Sequence, residues 1–332
     1  MEAFELRFAS LLGHEKPKAL LREASAKDKM GHAYLFRGPE GVGKKRTALT
    51  LAAYINCKNP LEKDGCGRCP SCRKYFSGNH PDLILVEPEG AAIKIGQIRK
   101  LKHQLAFPPL EARVRVVILE DIHTMRREAA NSLLKTLEEP APGNLLILTA
   151  DLAGEVLPTI LSRCQVIPFG PLDHEKMAQV LMRENDIEAS LAITLAALAE
   201  GSLGRAKLLL QENLLSLRQE VVEGLLLGQH DGAETIARVF SLSEKAAALK
   251  ENISEFLALL RLWYRDLVLV AVGGPEASIA NKDLALFLPA EAQRWSLTQL
   301  HEKLQRLDLA EKQLQRNCSR TLVLEILFFD LI

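Results

Sequence analysis

The chain of 332 residues carries 42 basic and 42 acidic side chains and is 48% hydrophobic, enough for two or three domains with cores of their own. Zero net charge argues against a protein that coats nucleic acid, because phosphate binding by counterion release favours a basic excess; a local basic strip is still allowed. No run approaches the roughly 20 apolar residues of a membrane span, and the opening stretch MEAFELRFASLLGHEK has charges where a secretory signal is apolar. The expectation is a soluble, cytoplasmic protein with no membrane partner, whose six cysteines read as metal ligands or buried thiols rather than disulfides.

The spacing predicts a helix over 17–29, ending near Gly31, and then a short apolar strand over 33–36. The strand stops at Gly38, and the glycine-rich turn GPEGVGKK leads into a helical pattern over 42–55. G-x-x-x-x-G-K is the spacing of a phosphate loop, in which successive backbone N–H groups and a helix N-terminus face an anion. Gly38, Gly41 and Gly43 form the turn, and Lys44 stands where a lysine reaches the β/γ-phosphates of ATP or ADP. The next residue should be Ser or Thr, whose hydroxyl binds Mg²⁺; here it is Lys45.

Residues 57–78 are rich in Cys, Gly and Pro and do not read as a continuous helix. Cys57, Cys66, Cys69 and Cys72 are spaced C-x8-C-x2-C-x2-C. Each C-x2-C turn brings two thiolates to one ion, so the pattern points to a tetrahedral Zn²⁺ site. Reduced thiols or an iron–sulfur cluster are the alternatives. Four cysteine ligands leave no open position, which makes such a site structural rather than catalytic. Cys164 and Cys318 are isolated and read as small buried hydrophobes.

Apolar runs at 83–86, 114–119, 145–149 and 165–168 alternate with helical stretches such as 95–105 and 126–137, the pattern of a parallel sheet covered on both faces. The second run, VRVVILED, ends in Glu120 and Asp121. An apolar strand ending in two carboxylates downstream of a phosphate loop has the form of a Walker B element, whose first acid helps hold Mg²⁺ and whose second polarises water. The usual order, Asp then Glu, is reversed here, and an acidic strand end in a turn is the plain alternative. Arg99, Lys100, Lys102 and His103 form a basic run on a predicted helix, read as a solvated face with DNA contact as the other reading. LPTILSRC, residues 157–164, reads alone as a short helix followed by a strand, with Arg163 an exposed helix-end arginine.

After Phe169-Gly170-Pro171 the pattern is helical, at 173–184 and 189–200, broken by Gly201-Ser202-Leu203-Gly204. Helices are predicted over 214–227, 234–240, 253–272, 297–316 and 322–331, with breaks at Gly273-Gly274-Pro275 and Leu288-Pro289. No internal repeat or low-complexity tract occurs. The expected division is an α/β domain over 1–169 with a cysteine module at 57–78, a small helical domain over 170–209 and a helical domain over 210–332.

Taken together, GPEGVGKK, the four-cysteine insertion, VVILED, NSLLKTLEEPAPGN, LPTILSRC and GSLGRA resemble the bacterial clamp-loader subunits of the AAA+ superfamily. The resemblance covers roughly residues 10–210; beyond them it rests on helical character and on WYRDL at 263–267. Ser162-Arg163-Cys164 and the cysteine insertion are its most specific marks. Motor subunits of the gamma/tau type look like GxxGxGKTS followed by Asp-Glu. This chain departs at Lys45 and at Glu120-Asp121 while keeping Ser162-Arg163-Cys164, a combination that looks like the delta-prime branch of the DNA polymerase III clamp loader. The end of the sequence near Ile332, with no tau-like extension, agrees.

The resemblance implies an AAA+ P-loop domain, a helical lid and a C-terminal helical collar. It implies a stator in a hetero-oligomer with gamma/tau and delta subunits, assisting ATP-dependent loading of the sliding clamp on primer–template DNA during DNA replication. Arg163 would be an arginine finger for a neighbouring subunit's ATP, Thr149 would take the sensor-1 position and Arg205 the sensor-2 position. Leu257, Leu260, Trp263, Leu267 and Val270 would pack the collar or its interface, a private core being equally compatible. The chain's own loop keeps a cradle for ATP or ADP but not the groups for hydrolysis. An active AAA+ ATPase motor, or another remodeller, is the competing reading. A zinc-dependent enzyme is disfavoured because cysteine fills every zinc position.

Overall fold

The computed structural model describes residues 6–61, 64–152, 154, 156–226 and 232–332. They fall into two compact units, Met1–Asp173 with Gly201–Gly204, and His174–Glu200 with Arg205–Ile332. Residues 1–5 and 62–63, and position 227 where one helix was expected to end, lie outside the described residues.

The first unit is built on β1 (Ala33–Arg37), β2 (Leu83–Val86), β3 (Arg115–Leu119), β4 (Asn144–Ala150) and β5 (Gln165–Pro168). They form one parallel sheet in the order β2-β3-β4-β1-β5. The three inner strands are buried almost throughout, as their unbroken apolar runs require. The edge strands β2 and β5 are partly exposed.

Alternate residues along a strand point to opposite faces, and this sorts the core into two layers. Tyr34, Phe36, Val116, Ile118 and Ile147 share one layer with Leu21 of α1 (Glu15–Ala26), Leu51 of α2 (Lys44–Ile55) and Tyr75 of α3 (Pro70–Phe76). Leu35, Val117, Leu119 and Leu148 share the other with Ile98 of α4 (Ile95–Leu105), Leu133 of α5 (Arg127–Glu138) and Ile160 of α6 (Pro158–Leu161). Helix α3 is short and lies inside the cysteine stretch, which was not expected to be one continuous helix. Cys69 caps it by accepting from Cys72 N, and Pro70 sits in its first turn, where a missing N–H costs nothing.

The second unit is helical: α7 (His174–Asn185), α8 (Ala189–Leu198), most of α9 (Leu203–Gln211), α10 (Leu214–Val221), α11 (Gly232–Ala247), α12 (Ile253–Ala271), α13 (Leu288–Arg294), α14 (Leu297–Gln315) and α15 (Arg320–Leu331). Helix α11 runs well past the predicted 234–240, because Ser243 and Ala246 continue its buried face where the apolar signal fades. Leu288-Pro289, read as a break, opens α13 instead, since proline fits a first helical turn. Leu257, Leu260, Trp263 and Leu267 are buried in this unit's own core, and Val270 packs partly buried against it. Fully buried Arg218 is held by Asn281 and by an ion pair with Asp283.

Asp82, just before β2, is fully buried and accepts from the backbone N–H groups of Leu110, Glu111 and Ala112 at 2.7, 2.8 and 2.8 Å. Burial alone would raise its pKa, but those bonds and the charge of Arg115 hold it below the ordinary carboxylate value. A depressed folded pKa means that this stabilisation is complete above the unfolded value of about 3.9 and is lost as pH falls through the folded one. Asp82→Ala is expected to cost about 3 kcal/mol or more in urea unfolding, by stranding three donors and a buried guanidinium. A loss below about 1 kcal/mol would contradict this anchoring role.

Candidate functional site

The glycine loop connects β1 to α2. Gly41 and Gly43 have φ of 71° and 105°, in the left-handed region that favours glycine. At Gly43 nothing lies within 4 Å of where a Cβ would stand, so the loop mouth is open there. Gly38 is constrained by packing: a Cβ would come within 2.1 Å of the Phe169 carbonyl oxygen. The loop is held from outside by groups that sequence reading missed. Gly38 N donates to Ala150 O at 3.2 Å, Gly204 N donates to Gly41 O at 2.9 Å, and His14 Nε2 pairs with Val42 O at 2.8 Å. A Cβ on Gly204 would stand 2.8 Å from Gly41 Cα, which is why a glycine break follows α8. A contact of this kind leaves no periodic signal in sequence.

Lys44 is buried, and its ammonium donates to Gly38 O at 2.5 Å and Pro39 O at 2.7 Å. Burial pulls its pKa below the ordinary lysine value, against the carboxylates of Asp151, Asp121 and Glu40. Lys45, its neighbour, sends its ammonium to Glu87 Oε1 at 2.6 Å and Glu120 Oε1 at 2.7 Å. Glu87 and Glu120 follow Val86 and Leu119, which face each other in register at the ends of β2 and β3. Two like charges therefore sit on adjacent strand ends with a lysine between them. Glu120 is mostly buried, and burial raises its pKa despite the pull of Lys45. Burial opposes the Lys45 charge too, yet the bonds to Glu120 and Glu87 outweigh it and raise the Lys45 pKa.

Asp121 adopts left-handed backbone, φ 49°, and its N–H donates to Thr149 Oγ1 at 3.1 Å. The Thr149 hydroxyl thus ties the end of β3 to β4. The loop backbone and Lys44 fit a phosphate group. The position of the magnesium hydroxyl does not fit Mg²⁺, since an ammonium stands against the carboxylate that would share the ion.

Arg163 follows α6 at the surface. Its Nε donates to Glu138 Oε1 at 2.9 Å, a second nitrogen contacts the same oxygen, and Nη1 donates to Thr159 O at 2.9 Å and Ser162 Oγ at 3.1 Å. Glu138, the last residue of α5, was not singled out in the sequence. Arg205, in the second unit, is engaged by Glu255 at 2.7 Å and Glu200 at 3.0 Å. Arg99, Lys100 and His103 lie exposed on α4, and Lys102 is half-buried.

The four sulfurs of Cys57, Cys66, Cys69 and Cys72 all lie within 4.8 Å of one another. Backbone N–H groups of Cys66, Cys69 and Cys72 point at the sulfurs of Cys57, Cys66 and Cys69, at 3.3, 3.3 and 3.5 Å. Such bonds favour thiolates; at Cys69 they help bring the pKa to about 6, whereas at Cys57 and Cys72 burial prevails and holds the thiol above its ordinary value. The chemistry and closeness of this donor set fit a metal ion. The module is tied to the start of β3 by Asn56, which donates to Tyr75 Oη at 2.8 Å and Val114 O at 2.9 Å, and to the N-terminal segment by Asp64, which accepts from Phe8 N at 2.9 Å.

A phosphate loop after an inner strand of a parallel five-stranded sheet, acids at the end of β3 and an adjoining four-cysteine cluster define an AAA+ P-loop domain with a cysteine module that could hold a metal ion. Among the described residues no helix is long and apolar enough to cross a membrane. A family model described as DNA polymerase III, delta subunit, matches residues 13–173. The delta' subunit of DNA polymerase III from Bacillus subtilis is 34% identical over 265 residues, covering 78% of this chain and 78% of its own length. That of Pseudomonas aeruginosa is 35% identical over 228 residues, covering 66% and 69%. The tau subunit of Escherichia coli is 31% identical over 309 residues, covering 85% of this chain and 48% of its own. The chain belongs to the delta-prime family of DNA polymerase III clamp-loader subunits.

Elemental analysis of the purified protein should find about one tightly held metal ion per chain, the content of a four-cysteine site. Removing it with chelator should lower the melting temperature, because the binding free energy of an ion joining residues 57 to 72 is part of the module's folding free energy. A metal-free protein of unchanged stability would contradict the assignment.

Proposed function

We propose that the chain is the stator of a replicative clamp loader, a subunit that assists ATP-driven loading of the sliding clamp on primed DNA without hydrolysing ATP itself. The observation that carries this reading is the 2.7 Å ion pair of Lys45 with Glu120. It occupies the groups that a working site needs for Mg²⁺. Arg163, by contrast, lies at the surface and keeps its charge, with Glu138 as its carboxylate partner.

Arg163 reaches a neighbouring gamma/tau subunit's ATP and stabilises charge developing on the γ-phosphate. An arginine suits this task because it is always charged and binds phosphate oxygens bidentately. Glu138 holds the guanidinium until a phosphate competes for it. Lys44 and the loop glycines retain a cradle for ATP or ADP, while Thr149 and Arg205 keep sensor positions that serve structure here. The cysteine cluster holds Zn²⁺ as a structural ion. The domain division proposed is 1–169, 170–209 and 210–332, the last being the collar.

A partner surface on the collar is supported by an apolar stripe. Ile236 and Phe240 on α11, and Leu322, Ile326 and Phe329 on α15, are all exposed, and the rings of Phe240 and Phe329 lie 6.2 Å apart. Spacings of four and three residues align them on one face of each helix. Partners of this surface are the gamma/tau and delta subunits; the clamp and primer–template DNA are met through the complex. A gamma/tau-type motor, or another remodeller, would need a hydroxyl and a metal where Lys45 stands.

The test is reconstitution with purified partner subunits. Arg163→Ala should assemble normally and lower ATP-driven clamp loading; removing an arginine finger has cost about 10³–10⁵ in rate in other phosphoryl-transfer systems. Ile326→Asp should fold and fail to assemble. Normal loading by the Arg163→Ala complex would overturn the finger, and normal assembly with Ile326→Asp would overturn the stripe.

A further inference from the structure

Loops of this spacing bring a hydroxyl and a carboxylate to one Mg²⁺ ion, and the ion lets the carboxylate lie beside phosphates without repelling them. The same demand for positive charge exists here before any phosphate arrives. Glu87 and Glu120 extend from the register-paired ends of β2 and β3. Glu120 has a side chain only 16% exposed, and its buried Oε1 makes no aligned hydrogen bond, leaving the Lys45 ammonium at 2.7 Å as its partner. Lys45 is the second residue of α2, where the hydroxyl would be, and its side chain is long enough to place a charge where the shorter residue would hold an ion.

We infer that Lys45 is a resident cation that takes the place of Mg²⁺ in this loop, so that the loop holds its conformation without divalent metal or nucleotide. The ammonium joins α2, β2 and β3 at one point, at 2.6 Å from Glu87 and 2.7 Å from Glu120. A divalent ion and an ammonium cannot share the Glu120 oxygen without strong repulsion at so short a range. Lys44 is likewise satisfied within the chain, by Gly38 O and Pro39 O. Both lysines of the motif therefore find partners inside the first unit. Glu87 is largely exposed, at 56% of its side chain, so the pair with Glu120 carries most of the effect and the Glu87 pair little.

This inference concerns the chain's own loop and is separate from the role proposed for Arg163, which is read in the assembled complex; either can fail alone. The experiment compares wild type, Lys45→Thr and Lys45→Arg by thermal melting, with ADP, in the presence and absence of Mg²⁺. Divalent ions are removed by resin rather than by chelator, so that the cysteine cluster keeps its metal. Wild type should melt at the same temperature in every buffer. Lys45→Thr should melt about 2–4 °C lower without Mg²⁺, the shift expected for losing one partly buried ion pair, and should recover with Mg²⁺ and ADP together. Restoring charge with Lys45→Arg should restore metal independence. Should Lys45→Thr fail to fold, refolding yield reads the same quantity: rescue by Mg²⁺ supports the inference, and no rescue overturns it. It is also overturned if wild type is itself stabilised by Mg²⁺ with ADP, or if Lys45→Thr neither melts lower nor responds to Mg²⁺.

Discussion

Lys45 carries its charge into the gap between two carboxylates at the ends of adjacent parallel strands, and the character of the whole site follows from that contact. Without a cation between them, Glu87 and Glu120 would repel across neighbouring strand ends, and the mostly buried Glu120 would lack a partner. With the ammonium in place the strand ends, the glycine loop and the start of α2 are joined. On the proposed reading the same contact takes the position of a catalytic metal, and stability of the loop and loss of hydrolytic chemistry have one physical cause.

The glycines around the loop carry a related lesson. A Cβ at Gly38 would strike the Phe169 carbonyl oxygen at 2.1 Å, and one at Gly204 would crowd Gly41 Cα at 2.8 Å. These positions need glycine for close packing whether or not a phosphate ever binds. Retention of Gly38 is therefore weak evidence for nucleotide use, while the identity of the residue after Lys44 bears directly on the metal.

Much of this was legible in the sequence. The inner strands announce themselves as unbroken apolar runs, because burial on both faces leaves no room for polar alternation. The four cysteines announce a metal-sized cluster by spacing alone. What stayed hidden depends on contacts between distant segments. Glu87 carried no motif and gained its meaning from the register of β2 against β3. Glu138 became the partner of Arg163 because α5 and α6 pack together. His14 reached Val42 across 28 positions of sequence. In the helical unit the apolar residues that stood out, Leu257 to Leu267, proved to be core. The exposed stripe of Ile236, Phe240, Leu322, Ile326 and Phe329 was lost among many equally apolar positions, because periodicity shows that a helix has an apolar face but not what covers it.

Motor and stator would share the fold and the surface arginine, so neither separates them; on the proposed reading the cation at the loop does. Central to this account is a chain that holds another subunit's ATP to its task and does not turn over its own. Phosphate release from ATP by the purified chain alone, with Mg²⁺ and primed DNA present, tests that most directly. The account predicts release no faster than in buffer. Turnover that saturates with ATP and disappears in Lys44→Ala would contradict it.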